Sequence, residues 1–445
     1  MTIQLPSSRS ETAFEDFKLP LLRGEAIAEA TRCLFCHDAP CIQACPTEID
    51  IPQFIRKIAS DNVRGSAKTI FESNILGMSC ARVCPVEVLC VGACVYNQVD
   101  QPPIAIGKLQ RYATDRAYEE GWEFFTAGAS TGKRVALIGA GPASLAAAHE
   151  LRRFGHACTI FEQRTTIGGL NTTGVAPYKM KADRALTEVE WVLSIGGIEV
   201  KTGVTVGVDI SLADLDSAFD AVFVGVGLGE DSSLGIAGEQ LDGVHGAVAW
   251  IEQMKLRSLD LSKIQRAVVI GGGNTALDAA REVKGLGIPW VTLLYRGTRE
   301  VMKGYAHEFD AAMREGVRVE WQCNAREISG NPFAADPSRL YIVACGQFED
   351  HRVPNLRERY LEVEADLVLV AVGQSKLTTM FTGFEGIEFE EGRLRVDAVG
   401  FTGRPRWFAG GDCTNAGKEV VNAVAEGKRA AHAIHAALQG GIHHG

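Results

Sequence analysis

The rhythm of apolar and polar positions changes once along the chain, near residue 125. Before it, stretches such as IPQFIRKIA and AIGKLQRYATDRAYEE repeat apolar residues at helical spacing with little β-branched alternation, which predicts a small helical domain over residues 1–125. From Lys133 the texture is different: RVALIGAGPAS reads as an apolar strand and a Gly-rich turn opening an Ala-rich helix to about Arg153, and CTIFE follows as a second strand. The same strand, turn and helix recur from Ala267 in AVVIGGGNTALDAAREV, followed by the strand WVTLLYR ending at Arg296. AVFVGVG at Ala221 and ADLVLVAVG at Ala365 are buried-strand runs closed by glycine, read as crossings between two units. The segment RWFAGGDCTNAGKEVVNAVAEGKRAAHAI returns to strand, turn and helix and completes the first sheet. The expected class is α/β: an N-terminal helical domain followed by two nested Rossmann-like dinucleotide-binding domains. The first nucleotide unit takes 133–230 and 365–445, the second is inserted over 231–364, and 121–132 forms a linker.

A chain of 445 residues has room for about three domains and for buried cofactors. No apolar run approaches the roughly 18–20 residues of a membrane span, and the first twenty residues lack a basic segment leading into an apolar one. The cytoplasm is therefore the expected location, and no membrane partner is expected. A net charge of −10 argues against a large basic surface for nucleic acid.

Charge excludes; the twelve cysteines point somewhere. Eight form two groups, Cys33-x2-Cys36-x4-Cys41-x3-Cys45-Pro46 and Cys80-x3-Cys84-Pro85-x5-Cys90-x3-Cys94. Clustered thiols in a reducing compartment suit metal ligation better than disulfides. Close spacing lets several soft, anionic sulfurs reach one iron–sulfur cubane, and Cys-Pro pairs are habitual in ferredoxin-like sites. Zinc is the competing metal, but it carries no electrons. Spacing alone suggests two four-cysteine sites, each closing locally. His37 reads as an ordinary surface residue. Cys158, Cys323, Cys345 and Cys413 are scattered singly, so a flavin here has no CxxC pair to reduce, and its electrons leave through the eight-cysteine domain.

In Gly139-Ala140-Gly141-Pro142-Ala143-Ser144 the glycines allow a tight turn and close approach of a pyrophosphate to a helix N-terminus, and Glu162, ending the next strand, is placed to accept from a ribose. The late Gly410-Gly411-Asp412 suits the ribityl and pyrophosphate of a flavin. The second fingerprint, Gly271-Gly272-Gly273-Asn274-Thr275, has Arg296 where the first has Glu162, which leans towards a 2′-phosphate; Gly297 lacks the further basic residue that would help, and NAD versus NADP stays open.

Taken together, CLFCHDAPCIQACPTEIDIPQFI, MSCARVCPVEVLCVGACV, IAIGKLQRYATD and VALIGAGPASLAAAHELRRFGH closely resemble the electron-input half of the dihydropyrimidine dehydrogenase family, over essentially the whole chain; the glutamate synthase small subunit is a more distant resemblance. The resemblance implies FAD, two [4Fe-4S] clusters and NAD(H) or NADP(H), with a weak lean to NAD(H) from Gly297. It puts flavin contacts on Gly139 to Ala143, Glu162, Gly168, Gly169, Leu170 and Lys179, and on Gly411, Asp412 through Val420. Nucleotide contacts fall on Gly272, Gly273, Asn274, Thr275, Arg296 and Ala371 to Gly373. The family reduces its pyrimidine on an FMN barrel of about 250 residues, and no such stretch is left over, so the catalytic acid is expected on an FMN-containing partner subunit. The alternatives are a glutamate synthase small subunit or related transhydrogenase, and a zinc-built docking module that conducts nothing.

The resemblance also crosses the two cysteine groups. Cys33, Cys36 and Cys41 join Cys94 on one cluster, Cys45, Cys84 and Cys90 hold the second with Gln110 as fourth ligand, and Cys80 is spare, in keeping with a cysteine before proline serving the other cluster. Cys80→Ser should then keep both clusters and most activity, whereas Cys84→Ser should lose one, measured as iron and sulfide per chain. Halved iron in Cys80→Ser, with neither iron nor potential altered in Gln110→Ala, would contradict the crossed arrangement.

Overall fold

The computed structural model describes residues 5–330, 340–346 and 359–440, with backbone alone for 340–346 and 359–360. The N-terminal region is helical for legible reasons. In the helix Ile51–Ala59 the Asp50 carboxylate accepts from Gln53 N at 3.0 Å, and Ile51, Phe54, Ile55 and Ile58 share its buried stripe. The helix Val63–Ser73 is capped by Asn62, which accepts from Gly65 N at 2.9 Å. The helix Ile106–Glu119 packs Leu109, Ala113 and Ala117 into the same core.

Two five-stranded parallel sheets follow. Strands β1 (Arg134–Ile138), β2 (Ala157–Glu162), β3 (Ile198–Thr202) and β4 (Ala221–Val224) begin the first. The chain then leaves for β5 (Val244–Gly246), β6 (Arg266–Ile270), β7 (Trp290–Tyr295) and β8 (Arg318–Trp321), and for an antiparallel three-stranded sheet of β9 (Cys323–Gly330), β10 (Leu340–Gly346) and β11 (Arg359–Ala365). It goes on through β12 (Leu367–Val370) and a short hairpin, β13 (Phe389–Glu390) and β14 (Arg393–Leu394), to β15 (Trp407–Ala409). The sheet orders are β15-β4-β1-β2-β3 and β5-β12-β6-β7-β8. β12 lies between β5 and β6, so the second sheet extends past residue 364, where the sequence analysis closes the inserted unit. The run LVLV is apolar at every position and suits the middle of either sheet, which is why pattern alone misplaces it. Among the described residues, no helix is long and apolar enough to cross a membrane.

The helical region is fastened to the first nucleotide unit by both apolar and polar contacts. Phe71 packs on Trp191 with ring centroids 4.5 Å apart, and Trp191 Nε1 donates to Trp122 O at 3.2 Å. Glu188, on the helix Ala182–Leu193 and fully buried, accepts from Met78 N at 2.9 Å, from Ser79 N at 3.2 Å and from the Ser79 hydroxyl, capping the helix Gly77–Val83 from outside. Burial, outweighing these donors, pushes the Glu188 carboxyl up to about 7. A carboxyl raised from 4.5 stabilises the fold below that value and loses the contribution as pH rises through about 7. Glu188→Gln should therefore gain on the wild type between those pH values, by up to roughly 3 kcal/mol, when urea midpoints are compared anaerobically at pH 5 and pH 8. A gap that does not change with pH would contradict this.

Candidate functional site

A cavity of about 310 Å³ lies where three parts of the chain meet. The first nucleotide unit contributes Gly139, Ala140, Gly141, Pro142, Ala143, Glu162, Gly169, Leu170, Lys179, Gly411, Asp412 and Val420 to its walls. Gly139 has φ +90°, and a Cβ there would stand 2.7 Å from Gly225 O; one on Gly169 would stand 2.9 Å from Gly141 Cα. The turn is thus drawn as tight as glycine permits. The helix Pro142–Arg153 opens at the cavity wall, at Gly141, with no side-chain cap, which leaves its first turn without a side-chain acceptor and suits an anion. Glu162 accepts from Ala140 N and Arg164 N, both at 2.8 Å, which fixes its carboxylate at the cavity wall. Gly168 sits just behind, donating to Ala140 O at 2.9 Å. Burial pushes Asp412 up to about 6. Lys179 is buried, which alone would lower it, but Asp278 at 2.8 Å and Glu308 at 2.9 Å hold its ammonium above the usual range. An elongated, glycine-lined cleft with an uncapped helix end and a fixed acceptor fits a dinucleotide such as FAD.

The second unit gives Asn274, Asp278, Tyr305, His307 and Glu308 to the same cavity. Its fingerprint lies at the carboxyl ends of its strands: Gly272, Gly273, Asn274 and Thr275 follow β6, Arg296 follows β7, and Ala371 to Gly373 follow β12. A Cβ on Gly271 would stand 2.3 Å from Ala371 O and one on Gly272 2.3 Å from the Tyr295 ring, so both positions need glycine. The helix Asn274–Gly285 also begins without a side-chain cap, and Asn274 Oδ1 accepts from Tyr305 N at 2.9 Å. The Arg296 side chain is exposed.

The structure gathers the thiols across the two sequence groups. Cys33, Cys36, Cys41 and Cys94 line one small apolar cavity of about 30 Å³ with Leu34, Ile55 and Ile104. Cys45, Cys84 and Cys90 lie together elsewhere, with Cys80 beside Cys84. Burial first, then neighbouring Cys33, pushes Cys41 up to about 11; burial, then Cys45, pushes Cys90 up to about 12. Neighbouring Cys80, then burial, raises Cys84 well above the usual thiol range. Crowded buried thiols resist ionising unless a cation takes up the charge, and that donor set fits iron–sulfur clusters. Among the described residues, no three His, Cys, Asp or Glu side chains converge on a position for one metal ion. Gln110 is buried and donates from Nε2 to Gly77 O at 2.8 Å. His37 is on the surface, 3.2 Å from Asp38. Cys158, Cys323 and Cys413 are buried apart from these groups, and the Cys345 side chain lies outside the described residues.

The sequence reading misses the third wall of the large cavity. Phe17, Lys18, Arg82, Val83, Cys84, Pro85 and Glu87 come from the helical region, so the loop bearing a cluster thiol also faces the dinucleotide cleft. Nothing local marks that docking. Asp278, four residues after Asn274 and so on the same helix face, also lines the cavity and is not among the residues the sequence singles out.

Comparison with known proteins adds to this geometry. The family described as dihydropyrimidine dehydrogenase domain II, 4Fe-4S cluster, matches residues 9–122, and pyridine nucleotide-disulphide oxidoreductase matches residues 133–427. The NAD-dependent dihydropyrimidine dehydrogenase subunit PreT of Salmonella typhimurium is 35% identical over 94% of this chain and 95% of its own. The glutamate synthase [NADPH] small chain of Escherichia coli is 33% identical over 95% and 93%. Among solved structures, Mycobacterium tuberculosis FprA in complex with NADPH has a TM-score of 0.53 at 20% identity, covering 69% of this chain and 85% of that one. T. acidophilum thioredoxin reductase has 0.55 at 19%, covering 69% and 99%; both likenesses are of fold alone.

Two substitutions separate the nucleotide cradles. Glu162→Ala removes the fixed acceptor and should lower FAD per chain after gel filtration by about tenfold in affinity, the scale of one charge-assisted hydrogen bond. Arg296→Ala should leave FAD unchanged and alter the KM for the nicotinamide nucleotide. Equal KM values for NADPH before and after would show that Arg296 clamps no phosphate.

Proposed function

Since the chain belongs to the family of dihydropyrimidine dehydrogenase subunits and glutamate synthase small chains, we propose that it is the electron-input subunit of a dihydropyrimidine dehydrogenase. It is an NAD(P)H-dependent oxidoreductase, and FAD, [4Fe-4S] iron–sulfur clusters and a pyridine nucleotide are its cofactors. The observation that carries the proposal is the shared cavity, whose walls combine the flavin-type cradle, the nucleotide helix and the Cys84 loop.

Bound FAD supplies the exchange between a two-electron hydride and single electrons. The residues divide the work around it. Glycines 139, 141, 168 and 169 keep side chains out of the pyrophosphate path, Glu162 accepts from ribose hydroxyls, and Leu170, Gly411, Asp412 and Val420 close the cleft. Lys179, clamped by Asp278 and Glu308, holds a fixed positive charge in it. Residues 272–275, Arg296 and 371–373 receive the nicotinamide nucleotide. NAD(H) is the proposed form, because Arg296 is exposed without a second basic neighbour at Gly297. Cys45, Cys84 and Cys90, with Gln110, hold the cluster beside the cavity, and Cys33, Cys36, Cys41 and Cys94 hold the other. We assign 1–125 to the clusters, 133–230 with the C-terminal segment to FAD, and the intervening residues through β12 to the nucleotide.

The pyrimidine itself is reduced on an FMN-containing partner, in a cytoplasmic hetero-oligomer that interconverts uracil or thymine and the 5,6-dihydro forms. Similarity to the glutamate synthase small chain favours one second reading, in which the electrons serve that enzyme's large subunit. Purified alone, the chain should oxidise NADH with an artificial acceptor and leave uracil untouched; adding the FMN-containing subunit should start uracil reduction. Uracil turnover by this chain alone refutes the division of labour, and co-purification with a glutamate synthase large chain selects the second reading.

A further inference from the structure

Lys18 belongs to an N-terminal arm that crosses from the helical region to the large cavity. Arg111, on the helix Ile106–Glu119, pins the arm by donating to Lys18 O and by pairing with Asp16 at 2.6 Å. On the other side Phe17 N donates to Tyr178 O at 3.1 Å, and the Phe17 ring meets the Tyr178 ring edge-on at 5.8 Å. The Lys18 Nζ lies 3.3 Å from Arg82 O and 3.5 Å from Cys84 O, in the wall between the cluster loop and the dinucleotide cleft.

What distinguishes Lys18 is the absence of a matching anion at contact. Among the other cations lining the cavity, Lys179 is paired with Asp278 and Glu308, Arg82 with Asp115 at 2.7 Å and Arg164 with Glu252 at 2.5 Å. Lys18 makes no ion pair among the described residues; its two contacts are neutral carbonyls, and Glu87, Cys84 and Glu308 attract it only at longer range, against repulsion from Lys179. Lys418, the remaining lysine of the lining, is exposed to solvent. An unmatched ammonium held in a partly buried wall is costly unless a negative charge arrives there.

The reaction supplies that charge. Hydride transfer, NAD(P)H + FAD → NAD(P)+ + FADH−, moves two electrons and one proton and makes the flavin one unit more negative, a charge left uncompensated in the cavity once NAD(P)+ departs; two single-electron transfers to the clusters, with loss of one proton, restore FAD. We propose that Lys18 is the charge-stabilising residue of this cavity, its ammonium offsetting the negative charge gained on flavin reduction. This rests on the reading of the cavity as the FAD site and adds a residue of the N-terminal arm to it.

The test uses the full-length holoprotein, kept anaerobic, with the flavin midpoint potential read by spectroelectrochemistry and FAD content read after release. Lys18→Met should keep FAD yet be harder to reduce, its reduced-to-oxidised ratio at a given potential falling about tenfold, the scale of one unit charge acting across partly buried protein. Lys18→Arg should stay within about twofold of the wild type, because it keeps the charge. An unchanged potential in Lys18→Met overturns the proposal, as does an equal shift in both variants or loss of flavin from Lys18→Met, each of which assigns the side chain to shape or retention. Wild-type protein that holds no FAD would instead remove the reading of the cavity.

Discussion

The buried carboxyl of Glu188 holds the two halves of this protein in register. It reaches out of the flavin-type unit and takes the first N–H groups of the helix Gly77–Val83, groups that no residue of the helix itself can satisfy. That helix ends at Cys84, so its direction decides where the thiol loop points. Ser79 extends the contact, since its hydroxyl also accepts from Asn171 Nδ2 at 2.9 Å, and Asn171 lines the cavity next to Leu170. One hydrogen-bonded group thus ties the cluster loop to the dinucleotide cleft. Loss of either partner would leave buried polar atoms without water, which makes the docking specific as well as strong.

Around that joint the charges of the cavity are arranged unequally. On the face supplied by the two nucleotide units Lys179 is matched at contact by Asp278 and Glu308, the latter also meeting Arg281, and Glu162, Asp412 and Glu419 add further carboxyls. The face supplied by the N-terminal arm keeps a cation with carbonyl partners only. On the proposed reading of Lys18, the charge gained on flavin reduction meets that cation on the wall that carries the Cys84 loop.

Much of the fold was readable because its local rules are strict. A turn in which a Cβ would strike Gly225 O needs glycine at 139, and a carboxylate after β2 is fixed at a known distance along the chain, so the first unit announces itself. The helical stripe of Ile51, Phe54, Ile55 and Ile58 is equally plain. The place of LVLV at 367–370 was not, since an all-apolar run carries no information about which sheet it joins. Glu188 and Lys18 were invisible for a different reason. In EVEW an acid reads as a solvated charge, and a lysine in an irregular arm reads as nothing at all; only the docking of one region on another buries the first and aims the second. The grouping of Cys94 with Cys33, Cys36 and Cys41 is likewise tertiary, because spacing alone closes each cysteine run on itself.

The central claim is that one cavity serves nucleotide, flavin and thiol loop together. It is tested most directly by a structure of the anaerobic holoprotein. The account predicts FAD lying along Gly139 to Ala143 with Glu162 on its ribose, its ring end against the Val83 to Pro85 wall, and cluster iron on Cys84 immediately behind. FAD bound with its ring turned away from that wall, or iron absent from the Cys84 sulfur, would contradict it.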